Sequence, residues 1–391
     1  MKKICFFTGS RAEYGILSSL MKAISSHPEM TLQIVATNMH LSPEYGLTVN
    51  EIERDGFRVD RRVEMLLSSD TSVGTAKSVG LGIIGYADAL DQLAPDLVVI
   101  LGDRYEMLGV AQTALLFNIP VAHLHGGEIT EGAYDDAIRH AITKLSHLHF
   151  TSTEEYRQNV IQLGEDPARV FSVGALGVDN IMEAEIMPRA DIERYIDFDL
   201  SGDYAVVTFH PVTAEPGEAE VQTAEFLNGL EQMLGQLKFL ITLPNSDTEA
   251  RAVSRMMQDF EAAHPDRVKC VRSLGRNRYY SAVSHSVCVA GNSSSGLIEA
   301  PSLGVPTVNV GNRQKGRARG ESVIDVECKA DAVAEGLRRA LADEMQTLAA
   351  TRPNPYFRAD TLESIMKVLS ETDIAGLNPK KFHIIPGFRG E

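Results

Sequence analysis

The chain has no tryptophan and only four cysteines among 391 residues. Cys5, Cys270, Cys288 and Cys328 are far apart and form no CxxC pair. That excludes a disulfide-rich framework and weighs against a thiolate zinc site; together with the apolar runs around Cys5 and Cys288 it predicts free thiols in a reducing, cytoplasmic setting. Positive charge is scarce. Lys+Arg number 37 against Asp+Glu 53, a net charge of −16, so broad contact with nucleic acid or an anionic membrane is not expected. Long apolar runs are absent as well. Nothing approaches the ~20 residues of a membrane-spanning helix. The opening MKKICFFTGS is broken by Gly9 and Ser10 before a secretory signal could form, so it reads as a first strand. The turn after the first strand lacks the GxGxxG fingerprint, and the chain has neither HExxH nor the GK[ST] of a Walker A loop, which argues against a dinucleotide site there, a zinc-protease site and a P-loop.

What is present is alternation. Short apolar runs predict strands at 4–8, 32–37, 97–101, 121–124, 148–151 and 170–173, then 204–209, 239–243, 268–271, 287–290, 307–310 and 323–326. Helical spacing fills the gaps, as at 75–93, 104–117 and 133–146. Runs such as DLVVIL are apolar throughout, as strands buried on both faces must be. The pattern predicts an α/β chain of two Rossmann-like, doubly wound domains, 1–180 and 181–359. The boundary falls in the charge-rich stretch 182–203, and a last helix begins near Asp360. A ligand is expected in an interdomain cleft at the carboxyl ends of the strands.

Five motifs sit at those strand ends. Thr8-Gly9-Ser10-Arg11 opens a helix with backbone N–H groups and a cation, which suits an anion. Gly291-Asn292-Ser293-Ser294-Ser295-Gly296 is a small-residue strand-to-helix turn that lets backbone approach a diphosphate, with Glu299 placed to accept from ribose hydroxyls. In the same motif Ser293 has the plainer role of helix cap. Arg313, Lys315, Arg317 and Arg319 put four cations within seven residues between glycines, a local positive field or a solvated basic loop. Leu101-Gly102-Asp103-Arg104-Tyr105-Glu106 and His123-Leu124-His125-Gly126-Gly127-Glu128 end neighbouring strands with acids, followed by Asp135 and Asp136 at a helix start. Carboxylates gathered at one edge can divide acid and base roles. Asp135 is alternatively a helix N-terminal acid paired with Arg139 at i+4. His123 and His125 alternate along a strand and are expected on one side. Five of the 11 histidines lie between His123 and His149, which raises a zinc site, but no metal is needed to explain them. His210 ends the first strand of the second half, and Asn245 ends the next.

TGSRAEYG, LGDRYE, HLHGGE, IRHAITKLSHLHFTSTEEYR, VIQLGE, GNSSSGLIEAPSLG and GNRQKGRARGESVIDV, in this order from Lys2 to about Tyr356, resemble the hydrolysing UDP-N-acetylglucosamine 2-epimerases of bacterial sialic-acid routes. The resemblance implies a glycosyltransferase-B-like fold, no cofactor or metal, and a last helix (about 360–391) that packs back on the first domain. It implies a homodimer or tetramer through that domain. By matching position, Arg11, His210, Asn245, Ser293, Ser294, Gly296, Glu299 and Arg313 would bind UDP. Asp103, Glu128 and Asp135 would be the catalytic carboxylates, with Arg104 beside them; His210 would also assist departure of the leaving group. The sequence departs from much of the wider superfamily at His125, where a Glu is usual; the sialic-type branch has HxHGGE, with its Glu three residues on. The implied reaction eliminates UDP to a 2-acetamidoglucal-type intermediate, then hydrates it to N-acetylmannosamine. A close rival is the same reaction on UDP-N,N'-diacetylbacillosamine. A glycosyltransferase of the same fold is a weaker rival, since no basic-apolar membrane patch is present, and a nucleotide-sugar sensor is weaker still.

Overall fold

The computed structural model describes residues 1–67, 69, 71–131, 133–182, 184–244 and 249–385. It divides into two compact units. Unit 1 comprises Met1–Glu128, Asp135–Asp179 and the described residues from Arg358 onward. Unit 2 comprises Ile129–Tyr134 and Asn180–Phe357. The short excursion Ile129–Tyr134 into unit 2 carries no signal in the sequence pattern.

Unit 1 holds a seven-stranded parallel sheet: β1 (Lys2–Thr8), β2 (Met30–Thr37), β3 (Arg61–Val63), β4 (Leu97–Leu101), β5 (Val121–Leu124), β6 (Leu148–Thr151) and β7 (Val170–Ser172). Its spatial order is β3-β2-β1-β4-β5-β6-β7. Side chains alternate along β1, so Ile4 and Phe6 join one apolar cluster while Cys5 and Phe7 join another on the opposite face. Burial on both faces is why β1 and β4 carry apolar runs instead of a polar alternation. The edge strand β3, Arg-Arg-Val, has no apolar run to announce it, and its charges suit an edge. The helix Thr361–Glu371 contributes Ile365 and Leu369 to the first cluster. Lys2 Nζ donates to the carbonyls of Leu369, Ser370 and Thr372 at 3.1, 2.6 and 2.8 Å, satisfying that helix's last turn.

Unit 2 repeats the plan with six parallel strands: β8 (Tyr204–Thr208), β9 (Lys238–Thr242), β10 (Val268–Val271), β11 (Cys288–Gly291), β12 (Thr307–Val310) and β13 (Val323–Val326). Their order is β10-β9-β8-β11-β12-β13. In both sheets the order reverses between the first and fourth strands, β1 with β4 and β8 with β11. Such a switch point is where open α/β sheets gather functional groups.

The four cysteines are free, with Cys5 and Cys288 buried. Among the described residues no helix is long and apolar enough to cross a membrane.

Gly291 closes β11 at φ +130, and a Cβ there would stand 2.0 Å from the Thr208 carbonyl oxygen. Neither the backbone conformation nor the space admits a side chain. Gly291→Ala is therefore expected to cost more than about 3 kcal/mol, seen as lost soluble yield or a depressed Tm. Gly235→Ala, with nothing within 4 Å of the added methyl, should melt like the parent.

Candidate functional site

In unit 1 the candidate groups stand at the carboxyl ends of β1, β4 and β5. The turn after β1 is already occupied by its own helix cap. Ser10 Oγ accepts from the Glu13 N–H, and Glu13 Oε2 accepts from Gly9 N–H at 2.9 Å and Ser10 Oγ at 3.1 Å. The expectation that this turn offers free N–H groups to an anion is thus corrected at Gly9, whose donor goes to Glu13. Arg11 Nε pairs with Glu51 at 2.6 Å. Burial, reinforced by the nearby Glu106 carboxylate, pushes Glu13 up to about 8. Glu106 is itself fully buried and accepts from Arg104 Nε at 2.8 Å. Two buried carboxylates therefore share one neighbourhood with one guanidinium. Glu13 accommodates this by holding its proton at neutral pH.

Asp103 follows Gly102, whose φ of +74 turns the chain out of β4. His123 supports that turn. A carbonyl only accepts, so His123 donates from Nε2 to the Gly102 oxygen at 2.7 Å, and Nδ1 accepts from Thr143 Oγ1 at 3.2 Å. Burial drives the His123 imidazole down to about 3, so it stays neutral and acts as a strut. The expectation that His123 and His125 share one side rested on strand alternation, and that premise fails. β5 ends at Leu124, and His125 adopts a left-handed φ of +64. His125 Nδ1 instead lies 2.9 Å from Glu128 Oε1, which also accepts from Ser152 Oγ at 2.8 Å.

The residue that organises this edge was not among the predicted site residues. Arg139, on the helix Asp135–Leu145, is one of the largest fully buried side chains. Its guanidinium donates to the Asp103 carboxylate, to the Glu128 carbonyl at 2.8 Å and to Asp136 at 3.4 Å. Sequence reasoning offered Arg139 only as a local i+4 partner for Asp135. The available signal was an arginine on the half of an amphipathic helix nearer its N-terminus, where the dipole does not favour a cation and an acid elsewhere is needed to hold it. Asp135 and Asp136 both lie in that first turn, half-buried. The remaining histidines have separate partners: His140 with Asp136, His147 with Asn378, and His149 with Glu165. Among the described residues, no group of three or more His, Cys, Asp or Glu is placed to hold a metal ion.

In unit 2 the groups stand at the ends of β8, β11 and β12. Asn292, buried and also not predicted as a site residue, clamps the His210 backbone from both sides. The His210 N–H donates to Asn292 Oδ1 at 2.7 Å, and Asn292 Nδ2 donates to the His210 carbonyl at 2.8 Å. The Asn292 carbonyl in turn accepts from Arg313 Nη1 at 3.1 Å and Gln314 Nε2 at 2.9 Å. One amide thus ties His210, the serine turn and Arg313 together. Ser293 does cap the short helix Ser294–Ile298, accepting from the Ser295 N–H. Gly296 lies against Thr307, where a Cβ would meet Cγ2 at 2.7 Å. Tyr280 donates to Glu299 Oε1 at 3.4 Å, and burial raises the Glu299 carboxyl to about 7.

The four-cation loop is less positive than its composition suggests. Lys315 pairs with Glu131 at 2.8 Å, and Arg319 pairs with Asp325. Arg317 is buried, and Arg313 donates to the Asn292 carbonyl. Asn245 lies outside the described residues.

With this geometry in hand, comparison with known proteins places the chain. A family model described as UDP-N-acetylglucosamine 2-epimerase matches residues 22–370. The chain is 39% identical to the GDP/UDP-N,N'-diacetylbacillosamine 2-epimerase (hydrolyzing) of Campylobacter jejuni, covering 83% of this chain and 84% of that one. It is 37% identical to polysialic acid biosynthesis protein P7 of Escherichia coli, covering 95% of this chain and 94% of that one. The crystal structure of UDP-GlcNAc 2-epimerase from Neisseria meningitidis bound to UDP-GlcNAc shares the fold. Its TM-score is 0.78 at 20% identity, over 95% of this chain and all of that one. The expected two-domain, glycosyltransferase-B-like fold is therefore the fold observed, and the chain belongs to the UDP-N-acetylglucosamine 2-epimerase family.

Proposed function

We propose that this enzyme is a hydrolysing 2-epimerase that converts UDP-N-acetylglucosamine and water to N-acetylmannosamine and UDP, the opening step of a sialic-acid route. The observation that carries the reading is the Arg139-centred group, which gathers Asp103, the Glu128 main chain and Asp136 at one sheet edge of a chain in this family. The relatives named as hydrolysing or polysialic enzymes support it. In the first step a base takes the C2 proton. The C2–H pair becomes the C1=C2 bond, the C1–O bond breaks, and UDP leaves with that pair. Water then adds at C1 and a proton returns to C2 on the opposite face. Catalysis needs positioned proton carriers, worth about 10²–10⁴-fold each, and donors aimed at the charge developing on UDP. Asp103, Glu128 and Asp135 serve the first need, with Arg104 beside them. Arg11, His210, Ser293, Ser294, Gly296, Glu299 and Arg313 serve the second together with nucleotide binding, and Asn245 belongs with them by position. The reaction proceeds in the cytoplasm without metal or cofactor.

A second reading concerns only the sugar. The Campylobacter jejuni relative is named for UDP-N,N'-diacetylbacillosamine, which favours a substrate differing at C4 and C6. Incubation with each UDP-sugar and identification of the freed sugar decides between them. If neither yields free sugar with UDP, hydrolytic epimerisation is wrong.

The enzyme is further proposed to form a homodimer through unit 1. Val73, Leu81 and Ile84 recur at helical spacing on Ser72–Leu93 and are 63, 43 and 66% exposed, and Leu115 and Leu116 follow on the adjacent helix at 48 and 75%. An apolar face of this kind on a soluble enzyme calls for a partner surface.

Asp103→Asn should reduce kcat by about 10²-fold or more while UDP affinity, read by calorimetry, stays within a few-fold. Ser294→Ala should do the reverse, raising the Kd for UDP with a smaller effect on kcat. Equal behaviour of the two variants would refute the division of labour. Glu299 should show a pH signature. Burial holds its carboxyl near 7, so it is protonated below and an anionic acceptor above. The affinity advantage of the parent over Glu299→Gln for UDP should therefore widen as pH rises from 6 to 8; titration of the UDP phosphate itself cancels between the two proteins. A constant ratio would remove Glu299 from nucleotide recognition. Ile84→Glu should shift the species seen by light scattering to monomer; an unchanged mass would refute this interface.

A further inference from the structure

His125 stands apart from the other histidines of unit 1. Its backbone is held in a left-handed conformation, φ +64, which a non-glycine residue adopts only when its surroundings impose it. The surroundings do so here. The His125 N–H donates to the Phe150 carbonyl at 2.8 Å. Gly127, two residues on, lies so close to the helix Glu154–Gln162 that a Cβ would meet the Tyr156 carbonyl oxygen at 2.3 Å. The chain is thus pinned on both sides of the strained residue. Register places the site as well: β4 pairs with β5 at Leu101↔Leu124, so the Gly102-Asp103 turn and His125 leave neighbouring strands side by side.

The ring is oriented as tightly as the backbone. An ionised carboxylate only accepts, so Glu128 Oε1 at 2.9 Å requires the proton on Nδ1. Ser152 Oγ, 2.8 Å from the same oxygen, and Arg139, 2.8 Å from the Glu128 carbonyl, keep Glu128 in place. The other nitrogen, Nε2, has no hydrogen-bond partner among the described residues, although the residue is only 8% exposed. By contrast, neutral His123 uses both nitrogens on structural partners. A buried imidazole with its tautomer set by a carboxylate and a lone pair left unused has the arrangement of a general base.

We infer that His125 is the base that removes the C2 proton in the elimination step, and that Glu128 is a positioning residue acting through it. This deepens the proposed reaction and rests on it. Nε2 takes the C2 proton, the C2–H electron pair forms the C1=C2 bond, and UDP departs with the C1–O pair. The imidazolium that forms is stabilised by Glu128, which keeps its negative charge. Return of a proton to the opposite face of C2 falls to a different acid, with Asp103 and Asp135 the available carboxyls. Glu128 thereby moves from a group acting directly on the sugar to one acting behind the imidazole.

The test uses the full-length enzyme and separates the two half-reactions. His125→Asn is the variant of choice, since asparagine tolerates a positive φ better than other replacements. It should slow UDP release from the UDP-sugar about 10²–10⁴-fold. Its hydration of added 2-acetamidoglucal in the presence of UDP should remain within about tenfold of the parent, and the Kd for UDP within a few-fold. His125→Gly should behave alike and regain UDP release when imidazole is added. Glu128→Gln, whose amide can donate to Nδ1 and force the wrong tautomer, should lose elimination with the same selectivity, and the double variant should be little worse than either single one. Elimination by His125→Asn within threefold of the parent would overturn the assignment. So would equal loss of both half-reactions with UDP affinity intact, which marks a structural role. If His125→Asn loses UDP affinity through misfolding, imidazole rescue of His125→Gly decides, and its absence overturns the proposal. A parent enzyme that releases no UDP from either sugar nucleotide instead refutes the underlying reaction.

Discussion

The carboxyl edge of the unit 1 sheet depends on a buried guanidinium. A lone cation with the burial of Arg139 would be prohibitively unfavourable, and it is stable only because fixed acceptors surround it. Those acceptors come from three places in the sequence: Asp103 after β4, the Glu128 main chain after β5, and Asp136 in its own helix. The pairing therefore acts in both directions. The acids make the burial of Arg139 tolerable, and Arg139 joins the His123–Gly102 hydrogen bond in fixing the spacing of the two strand ends.

Unit 2 reaches the same end with a neutral group. Asn292 satisfies both main-chain polar groups of His210 while its own carbonyl is held by Arg313 and Gln314. An amide can do this because it carries a donor and an acceptor at one end, as a carboxylate or an ammonium does not. The contrast fits the chemistry proposed for each unit. Proton transfer calls for titratable groups whose environments differ, whereas a nucleotide site calls for a rigid frame that presents donors without itself changing charge.

Much of the fold was legible because short apolar, β-branched runs mark the strands: β4, Leu-Val-Val-Ile-Leu, is unbroken and buried throughout, and β5, β6, β10, β12 and β13 keep the predicted bounds although each carries at least one polar residue. β3 was not legible. Two of its three residues are arginines, and only pairing with β2 makes it a strand. At the candidate site the sequence supplied the positions of Asp103, Glu128, His210, Ser293 and Glu299 at strand ends, since that depends on local order alone. It could not supply partners. Arg139 and Asp103 are 36 residues apart, and Asn292 and His210 are 82 apart. His125 was misread because alternation presumes an extended backbone, and the strand stops one residue earlier. The basic loop was overread for a related reason: counting Arg313, Lys315, Arg317 and Arg319 ignores Glu131 and Asp325, which neutralise two of them.

The turn after β1 shows how a motif can keep its shape and change its use. Glycine followed by a helix-opening serine suggests donors waiting for an external anion, yet the Glu13 carboxyl takes that place from within. Once Glu13 is folded back, a second buried carboxylate nearby would ordinarily be intolerable. Glu106 is nonetheless there, lying where a Gly9 Cβ would be. Two features reconcile them. Arg104 provides one positive charge at 2.8 Å from Glu106, and Glu13, raised to about 8, gives up its negative charge at neutral pH. It follows that Arg104 is tethered at Nε, with its orientation set by Glu106 rather than by bulk solvent. Gly9 is fixed as glycine by the Glu106 oxygen that would overlap any Cβ, so this turn serves to hold Arg104 beside the acids at the end of β4.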